Sequence, residues 1–288
     1  MSNILVTGSN GQLGSEIRFL EKDYKQYNFL FTDVKQLDIT DKEAIQEFVN
    51  KNKINIIINC AAYTAVDKAE AEPELANNIN NIAVVHLAEI AKSNKCKFIH
   101  VSTDYIFDGE AFKSYSEAHL PNPKNVYGKT KLDGELSLQR INPENSIIIR
   151  TSWVYSSFGN NFVKTMLKLG KERESLNVID DQIGTPTYAL DLAKTILEVI
   201  PKINNTEVEL YHYSNEGVCC WYDFAKAIFE ESKIKCKINP ITTDKYPTAA
   251  KRPHFSLLNK NKIKSSFNIE IPYWKDSLFV CLDKIDSK

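Results

Sequence analysis

Through the first half of the chain, short runs of aliphatic and β-branched residues alternate with longer amphipathic stretches. Ile4 to Thr7, Phe29 to Thr32, Ile54 to Asn59, Phe98 to Ser102 and Ile147 to Arg150 are continuous apolar runs, which predicts strands buried on both faces of a parallel sheet. Between them a 3.6-residue period predicts helices over Gln12 to Leu20, Asp41 to Asn50, Glu74 to Ser93 and Tyr127 to Gln139, with Pro73 suited to a helix's first turn. Strand and helix in strict alternation predict an α/β fold built from βαβ units.

Beyond residue 151 the rhythm loosens. The pattern predicts a helix near Asn160 to Leu169, a strand near Leu176 to Ile179, a helix over Thr187 to Val199, a strand at Leu210 to Tyr213 and a helix over Trp221 to Ser232. Pro240, Pro247 and Pro253 then punctuate an irregular stretch. There is no internal repeat and no low-complexity linker. The expected organisation is a dinucleotide-binding unit over 1–150 with about 187–213 returning to it, and a smaller lobe over about 151–186 and 214–288.

Composition narrows the class. The 288 residues are 43% hydrophobic and 25% charged, which excludes a disordered chain. A formal net charge of -1 from 36 basic and 37 acidic residues offers no field for sequence-independent nucleic-acid binding. The six cysteines, Cys60, Cys96, Cys219, Cys220, Cys236 and Cys281, form no C-x-x-C pair, so neither a zinc site nor a dithiol redox site is expected; they read as reduced, mostly buried thiols. No run reaches the roughly 18 to 20 apolar residues of a membrane span, and no leader pattern precedes Ile4, so a soluble cytoplasmic protein is expected.

Directly after the first strand comes Gly8-Ser9-Asn10-Gly11-Gln12-Leu13-Gly14, a G-x-x-G-x-x-G turn opening a helix. Gly8, Gly11 and Gly14 let the backbone turn tightly and approach a pyrophosphate, which the helix N-terminus then faces. The second strand ends in Thr32-Asp33, where an acid about 20 residues past the glycines accepts from ribose hydroxyls. Such an acid disfavours the extra phosphate of NADP, while Lys35 offsets the repulsion, so NADPH and NADH both stay open. Asp38 is either an N-terminal residue of the next helix or an adenine contact; Thr40 and Asp41 supply cap chemistry, with Glu43 placed for a capping box.

Tyr127-Gly128-Lys129-Thr130-Lys131 places a tyrosine and a lysine on one helical face. An adjacent ammonium stabilises a phenolate, which makes the pair a tunable general acid. Val101-Ser102-Thr103-Asp104 delivers a hydroxyl to the carboxyl edge of the sheet, where ligands bind in open α/β folds, and Asn59-Cys60-Ala61-Ala62-Tyr63 ends the third strand in small residues.

With these motifs the chain resembles the extended short-chain dehydrogenases/reductases, and within them the reductases of nucleotide-linked ketosugars. Asn59 to Glu70, Val101 to Gly109, Asn125 to Lys131, Arg150 to Tyr155, Asp181 to Thr187 and Lys251-Arg252-Pro253 extend the match over almost the whole chain. The resemblance implies a Rossmann-type doubly wound parallel sheet with a smaller C-terminal α/β substrate-binding lobe. It implies reduction of the 4-keto group of dTDP-4-dehydro-L-rhamnose to dTDP-L-rhamnose by NADPH or NADH. It further implies that Gly11, Gln12 and Leu13 lie on the pyrophosphate, Asp33, Asp38 and Ile39 near the adenosine half, and Ala61, Ala62, Tyr63 and Val101 along the cofactor. Tyr127 is then the proton donor, Lys131 lowers its pKa and holds the nicotinamide ribose, and Thr103 polarises the carbonyl. Thr103, Asp104 and Trp153 match sugar-contacting positions, Trp153 being otherwise a core tryptophan. Asn160, Asn161, Lys251 and Arg252 serve the diphosphate or thymine end, or the basic pair is a solvated charge cluster.

Some relatives dimerise around magnesium held by carboxylates. Glu16 matches one such position but Leu190 occupies another, so no metal site is expected, Glu16 reads as a surface residue, and monomer and homodimer stay open. None of the five histidines has ligand spacing; His86 and His212 are expected to pack. Two alternatives remain: reduction of another nucleotide-linked 4-keto sugar, and a non-catalytic cofactor-binding subunit resembling the regulatory subunit of a eukaryotic methionine adenosyltransferase.

Overall fold

The computed structural model describes residues 1–287; Lys288, the last position of the expected second lobe, lies outside the described residues. In chain order the first half holds β1 (Ser2–Thr7), α1 (Gln12–Leu20), β2 (Tyr27–Phe31), α2 (Lys42–Asn52), β3 (Ile54–Asn59), α3 (Val66–Ala69), α4 (Pro73–Asn77), α5 (Ala83–Asn94), β4 (Lys97–Thr103), α6 (Val126–Ile141) and β5 (Ser146–Thr151). The second half adds β6 (Val154–Tyr155), α7 (Phe162–Glu172), β7 (Ser175–Ile179), β8 (Ile183–Gly184), β9 (Thr187–Tyr188), α8 (Ala189–Val199) and β10 (Glu209–His212). It ends with β11 (Cys219–Cys220), α9 (Trp221–Glu231), β12 (Lys237–Ile241), α10 (Asn261–Phe267) and α11 (Trp274–Asp286).

Six strands form one parallel sheet in the order β10-β5-β4-β3-β1-β2. The winding direction reverses between β1 and β3, which makes the sheet doubly wound and opens a crevice at its carboxyl edge. Strand alternation distributes the continuous apolar runs to both faces. Ile4, Val6, Ile56, Ile58, Ile147 and Ile149 join one core, with Ile17 of α1 and Ile196 of α8. Leu5, Ile57, Phe98 and Ile148 join the other, under Ile45 of α2 and Leu87 of α5. That two-sided burial is why these strands carry no polar alternation.

Several local expectations change. The helix expected over Glu74 to Ser93 runs without a break from Pro73 to Asn94 but carries a π-turn at Asn78–Ile82 between α4 and α5. The π-turn widens the backbone where α6 must approach: a Cβ on Gly134 would sit 2.1 Å from the Asn80 carbonyl oxygen. Of the two cap candidates, Asp41 rather than Thr40 caps α2, accepting from Ala44 N at 3.0 Å, while Asp38 accepts from the Thr40 amide and hydroxyl. Pro240 lies inside β12, which pairs in parallel with β7 alone and tolerates a residue without an N–H. The helix expected from Thr187 begins two residues later, because Thr187 and Tyr188 pair with β6.

Glu16 overturns its surface assignment. It is fully buried, with Ser156 Oγ donating to Oε1 at 2.7 Å and Lys284 Nζ 3.3 Å from Oε2. Position 16 shares the buried stripe of α1 with Leu13, Ile17 and Leu20, so the surface reading follows only from the charge of a glutamate; α11 brings the Lys284 ammonium to it from the far end of the chain. All six cysteines are free thiols, four of them buried. Among the described residues no helix is long and apolar enough to cross a membrane, and no group of three or more His, Cys, Asp or Glu is placed to hold a metal ion.

Candidate active site

At the switch point lies a cavity of about 650 Å³. Its floor is the glycine turn. Gly8 adopts φ +60°, and a Cβ there would lie 2.6 Å from Ala61 Cα, so the turn can lie against β3 only as glycine. Gly11 caps α1 without a side-chain hydrogen bond, which leaves first-turn N–H groups unpaired beside the cavity-lining Gln12 and Leu13. No acidic side chain occupies that turn. Unpaired donors at a helix start, a residue-free cradle and adequate volume fit a dinucleotide's pyrophosphate.

Asp33 closes one end. Its carboxylate accepts from Asn10 N at 3.1 Å and Val34 N at 2.9 Å, tying the turn to the end of β2 while lining the cavity. Asp38 and Ile39 line the same end, so Asp38 shapes the connection ahead of α2 and also borders the pocket. Ala61 and Ala62 line the middle; Tyr63 does not, its hydroxyl being bonded to Glu72. Tyr63 instead anchors the strand end, with its amide donating to Asn80 Oδ1 at 2.9 Å and its carbonyl accepting from Asn80 Nδ2. Asn80 also donates to Thr130 Oγ1 at 3.1 Å, so the π-turn joins the loop after β3 to α6.

Tyr127 and Lys131 line the cavity from one face of α6, with Val101 opposite on β4. The helix starts where it does because Asn125 caps it, accepting from Gly128 N at 2.8 Å. One turn beyond Lys131, Glu135 accepts from Arg150 of β5 in a fully buried bidentate pair, Arg150 Nη2 to Oε2 at 2.6 Å and Nε to Oε1 at 3.0 Å. That pair pins α6 to the sheet.

Burial governs the electrostatics. The Tyr127 phenol is pushed up to about 12, the loss of solvent outweighing the Thr103 hydroxyl that pulls it down, with Asp104 adding to the rise. Lys131 is pushed down to about 8 by burial against the upward pull of Glu135. In the cofactor-free chain burial thus dominates both groups, raising the phenol and lowering the ammonium. Lys131 Nζ donates to the Val101 carbonyl at 2.8 Å.

Beside Tyr127, Thr103 Oγ1 donates to Asp104 Oδ1 at 3.1 Å and accepts from Tyr105 N. Burial pushes the Asp104 carboxyl up to about 6, opposed by the Ser256 and Thr103 hydroxyls, and its Oδ2 is buried without a hydrogen-bond partner. Trp153 adopts φ +47° and stacks on Trp221, ring centroids 3.7 Å apart at 11°. Thr103, Asp104 and Trp153 are not among the residues that line the cavity, and neither is Gly14, which packs α1 on Ser9. Asn160 lines the cavity; Asn161 caps α7 and donates to Gln12 Oε1 at 3.0 Å. Arg252 is committed to Asp67 and Lys251 is exposed.

Ser102, Leu75 and Ile79 are among the lining residues to which the sequence assigns no role. Ser102, whose buried hydroxyl has no hydrogen-bond partner, lines the cavity one position before the threonine that motif reading selects. Leu75 and Ile79, four residues apart on the α4 and π-turn segment, form a wall of the cavity.

The family model described as RmlD substrate binding domain matches residues 1–287. A dTDP-4-dehydrorhamnose reductase of Aggregatibacter actinomycetemcomitans is 43% identical over 287 residues, covering 96% of this chain and 97% of that protein. The crystal structure of a dTDP-4-dehydrorhamnose reductase from Clostridium acetobutylicum ATCC 824 superposes with a TM-score of 0.93 at 44% identity, covering 99% of each chain. That of a dTDP-4-dehydrorhamnose reductase from Bacillus anthracis str. Ames in complex with NADP gives a TM-score of 0.94 at 39% identity, covering 99% of this chain and 100% of the other.

Proposed function

The chain belongs to the dTDP-4-dehydrorhamnose reductase family, and from that membership we propose that it reduces the 4-keto group of dTDP-4-dehydro-L-rhamnose to give dTDP-L-rhamnose with NADPH or NADH. The observation that carries the reading is one cavity lined by both the glycine turn and the Tyr127 and Lys131 face of α6. The cofactor, when bound, supplies the hydride to the ketone carbon.

The chain's own residues do the rest. Gly11, Gln12 and Leu13 hold the pyrophosphate through helix-terminal N–H groups, with Gly8 and Gly14 shaping the turn. Asp33, Asp38 and Ile39 receive the adenosine half, and Ala61, Ala62 and Val101 frame the middle, with Tyr63 anchoring the strand end behind them through Asn80. Tyr127 remains protonated through the neutral range and gives its proton to the ketone oxygen as charge develops there. Thr103 polarises that oxygen, and the Lys131 ammonium steadies the phenolate left behind. Asp104 and Trp153 take the sugar, the indole face suiting a 6-methyl group.

The unit over 1–150 and about 187–213 serves the cofactor, and the lobe over about 151–186 and 214–288 serves the sugar nucleotide. Every residue in this assignment comes from one chain, so the site is complete in a monomer or in each half of a homodimer. Six free thiols accord with the reducing cytoplasm.

The test is loss of reduced-nicotinamide absorbance, with NADH and NADPH in parallel, on adding dTDP-4-dehydro-L-rhamnose. Oxidation matched by dTDP-L-rhamnose supports the reading. Faster turnover of a UDP-linked ketosugar would move the assignment to another nucleotide, and cofactor binding without any turnover would move it to a non-catalytic subunit.

A further inference from the structure

Behind the cavity a chain of buried polar side chains crosses three adjacent strands at one level. Thr7 ends β1, Asn59 ends β3 and His100 lies in β4; Thr7 is the register partner of Asn59, and Asn59 of His100. Thr7 Oγ1 lies 2.7 Å from Asn59 Oδ1, Asn59 Nδ2 lies 3.1 Å from His100 Nδ1, and His100 Nε2 lies 3.4 Å from Lys131 Nζ. All four side chains are essentially sealed from solvent.

The wiring has one consistent set of proton positions. Ala61 N–H is a backbone donor that cannot reverse, and it donates to Asn59 Oδ1 at 3.2 Å. Flipping the Asn59 amide would face donor against donor, so its Nδ2 points at His100. His100 Nδ1 must therefore accept, and a neutral imidazole then carries its proton on Nε2, aimed at Lys131. His212 shows the opposite arrangement: its Nδ1 donates to the Tyr115 carbonyl, leaving Nε2 to accept from the Arg150 guanidinium. A lysine ammonium has three donors and no acceptor, whereas its neutral amine offers a lone pair to the His100 Nε2–H and keeps a donor for the Val101 carbonyl.

We propose that His100 is a positioning residue for the reduction: the Nε2–H imposed on it by Asn59 favours the neutral amine of Lys131 and so sets the pH above which Lys131 loses the charge that supports Tyr127. The proposal rests on the reading above that Tyr127 and Lys131 carry the proton chemistry. Other charged groups face this centre. Glu135 on the next turn of α6 favours the ammonium but is itself held by Arg150 of β5, and Asp104 lies beside Tyr127. Burial and the Lys131 charge keep His100 well below its ordinary value, so His100 stays neutral while Lys131 titrates.

Imidazole 15N–1H correlations on the labelled, cofactor-free protein test the wiring without any mutation. The expected result is protonated Nε2 and bare Nδ1 on His100; an Nδ1–H tautomer or an imidazolium overturns the proposal. In His100→Leu the Lys131 Nζ titration should move upward by on the order of one pH unit, the scale of one hydrogen bond involving a charged group. His100→Gln, which keeps a donor, should stay nearer the parent. The alkaline limb of kcat/KM should follow the same shift. A folded His100→Leu protein with an unmoved Lys131 midpoint also overturns the proposal. Should no ketosugar be reduced, the reductase reading fails, while tautomer and titration still decide this one; should His100→Leu not fold, the tautomer of the parent decides.

Discussion

Arg252 grips Asp67 through two parallel hydrogen bonds, Nη1 to Oδ1 at 2.7 Å and Nη2 to Oδ2 at 2.6 Å, and Nη1 also donates to the Ala250 carbonyl at 2.8 Å. This clamp joins α3 to the proline-rich segment of the second half. Arg252→Lys loses the fork, so the KM for the sugar nucleotide should rise several-fold, while the melting midpoint moves little because a half-exposed pair contributes about 0–1 kcal/mol. The Arg252 guanidinium holds the Asp67 carboxyl down to about 2. A depressed carboxylate contributes stability above its ordinary value of about 3.9 and loses it as pH falls through its folded value, so the clamp should persist at pH 5 and weaken only in strong acid. A KM that rises already between pH 6 and pH 5 would contradict this.

Gly8→Ala should weaken cofactor binding more than it weakens the fold. A side chain at φ +60° is strained, and its Cβ would press on the Ala61 backbone. With a local cost of about 1–3 kcal/mol, calorimetry should read a roughly 10- to 100-fold loss of cofactor affinity. Unchanged affinity would remove the turn from the cofactor site.

Tyr127→Phe should lower kcat by on the order of 10²- to 10⁴-fold with cofactor affinity near that of the parent. Tyr127 is held up to about 12, so it keeps its proton at neutral pH and cannot set the alkaline limit of activity. Lys131, pushed down to about 8, can: it is charged below that value and neutral above it, so kcat/KM should fall as pH rises through about 8. A pH profile flat to pH 10 would count against Lys131.

Glu135→Gln should destabilise the whole chain. Removing one partner of a buried ion pair leaves the Arg150 charge uncompensated, at a cost of about 3–5 kcal/mol, which corresponds to a fall in melting midpoint of roughly 10 °C. Differential scanning calorimetry reads it directly. A loss under 2 °C would mean that α6 is held by apolar packing alone.

Chelation should leave the protein unchanged. Glu16 is a single buried carboxylate already met by the Ser156 hydroxyl and the Lys284 ammonium, which also sits 3.6 Å from the Phe19 ring centroid. Leu190, buried in the apolar core, brings no oxygen ligand. Melting midpoints in EDTA and in millimolar magnesium should agree, whereas Lys284→Met should lower them; a rise with magnesium would show that the cation displaces Lys284.

The continuous apolar runs and the glycine turn made the parallel sheet and its switch point legible, because strands buried on two faces and a turn lying on a neighbouring backbone each leave little choice of residue. Tyr127 and Lys131 were legible as neighbours for the same kind of reason: four residues on a helix is a local distance. Cavity-lining positions such as Asp33 and Ala61 follow from strand ends, which the pattern also marks.

What depends on segments far apart in sequence was decided only by tertiary structure. Glu16 reads as a surface residue until Lys284 of α11 meets it, and Arg252 as a contact for the diphosphate or thymine end or a solvated charge until it meets Asp67 across 185 positions. The π-turn at Asn78–Ile82 has no periodic signature, since it answers the approach of Gly134 from α6. The direction of the Tyr127 shift was likewise beyond local spacing: burial pushes the phenol up harder than the Thr103 hydroxyl pulls it down, and burial is a property of the whole fold.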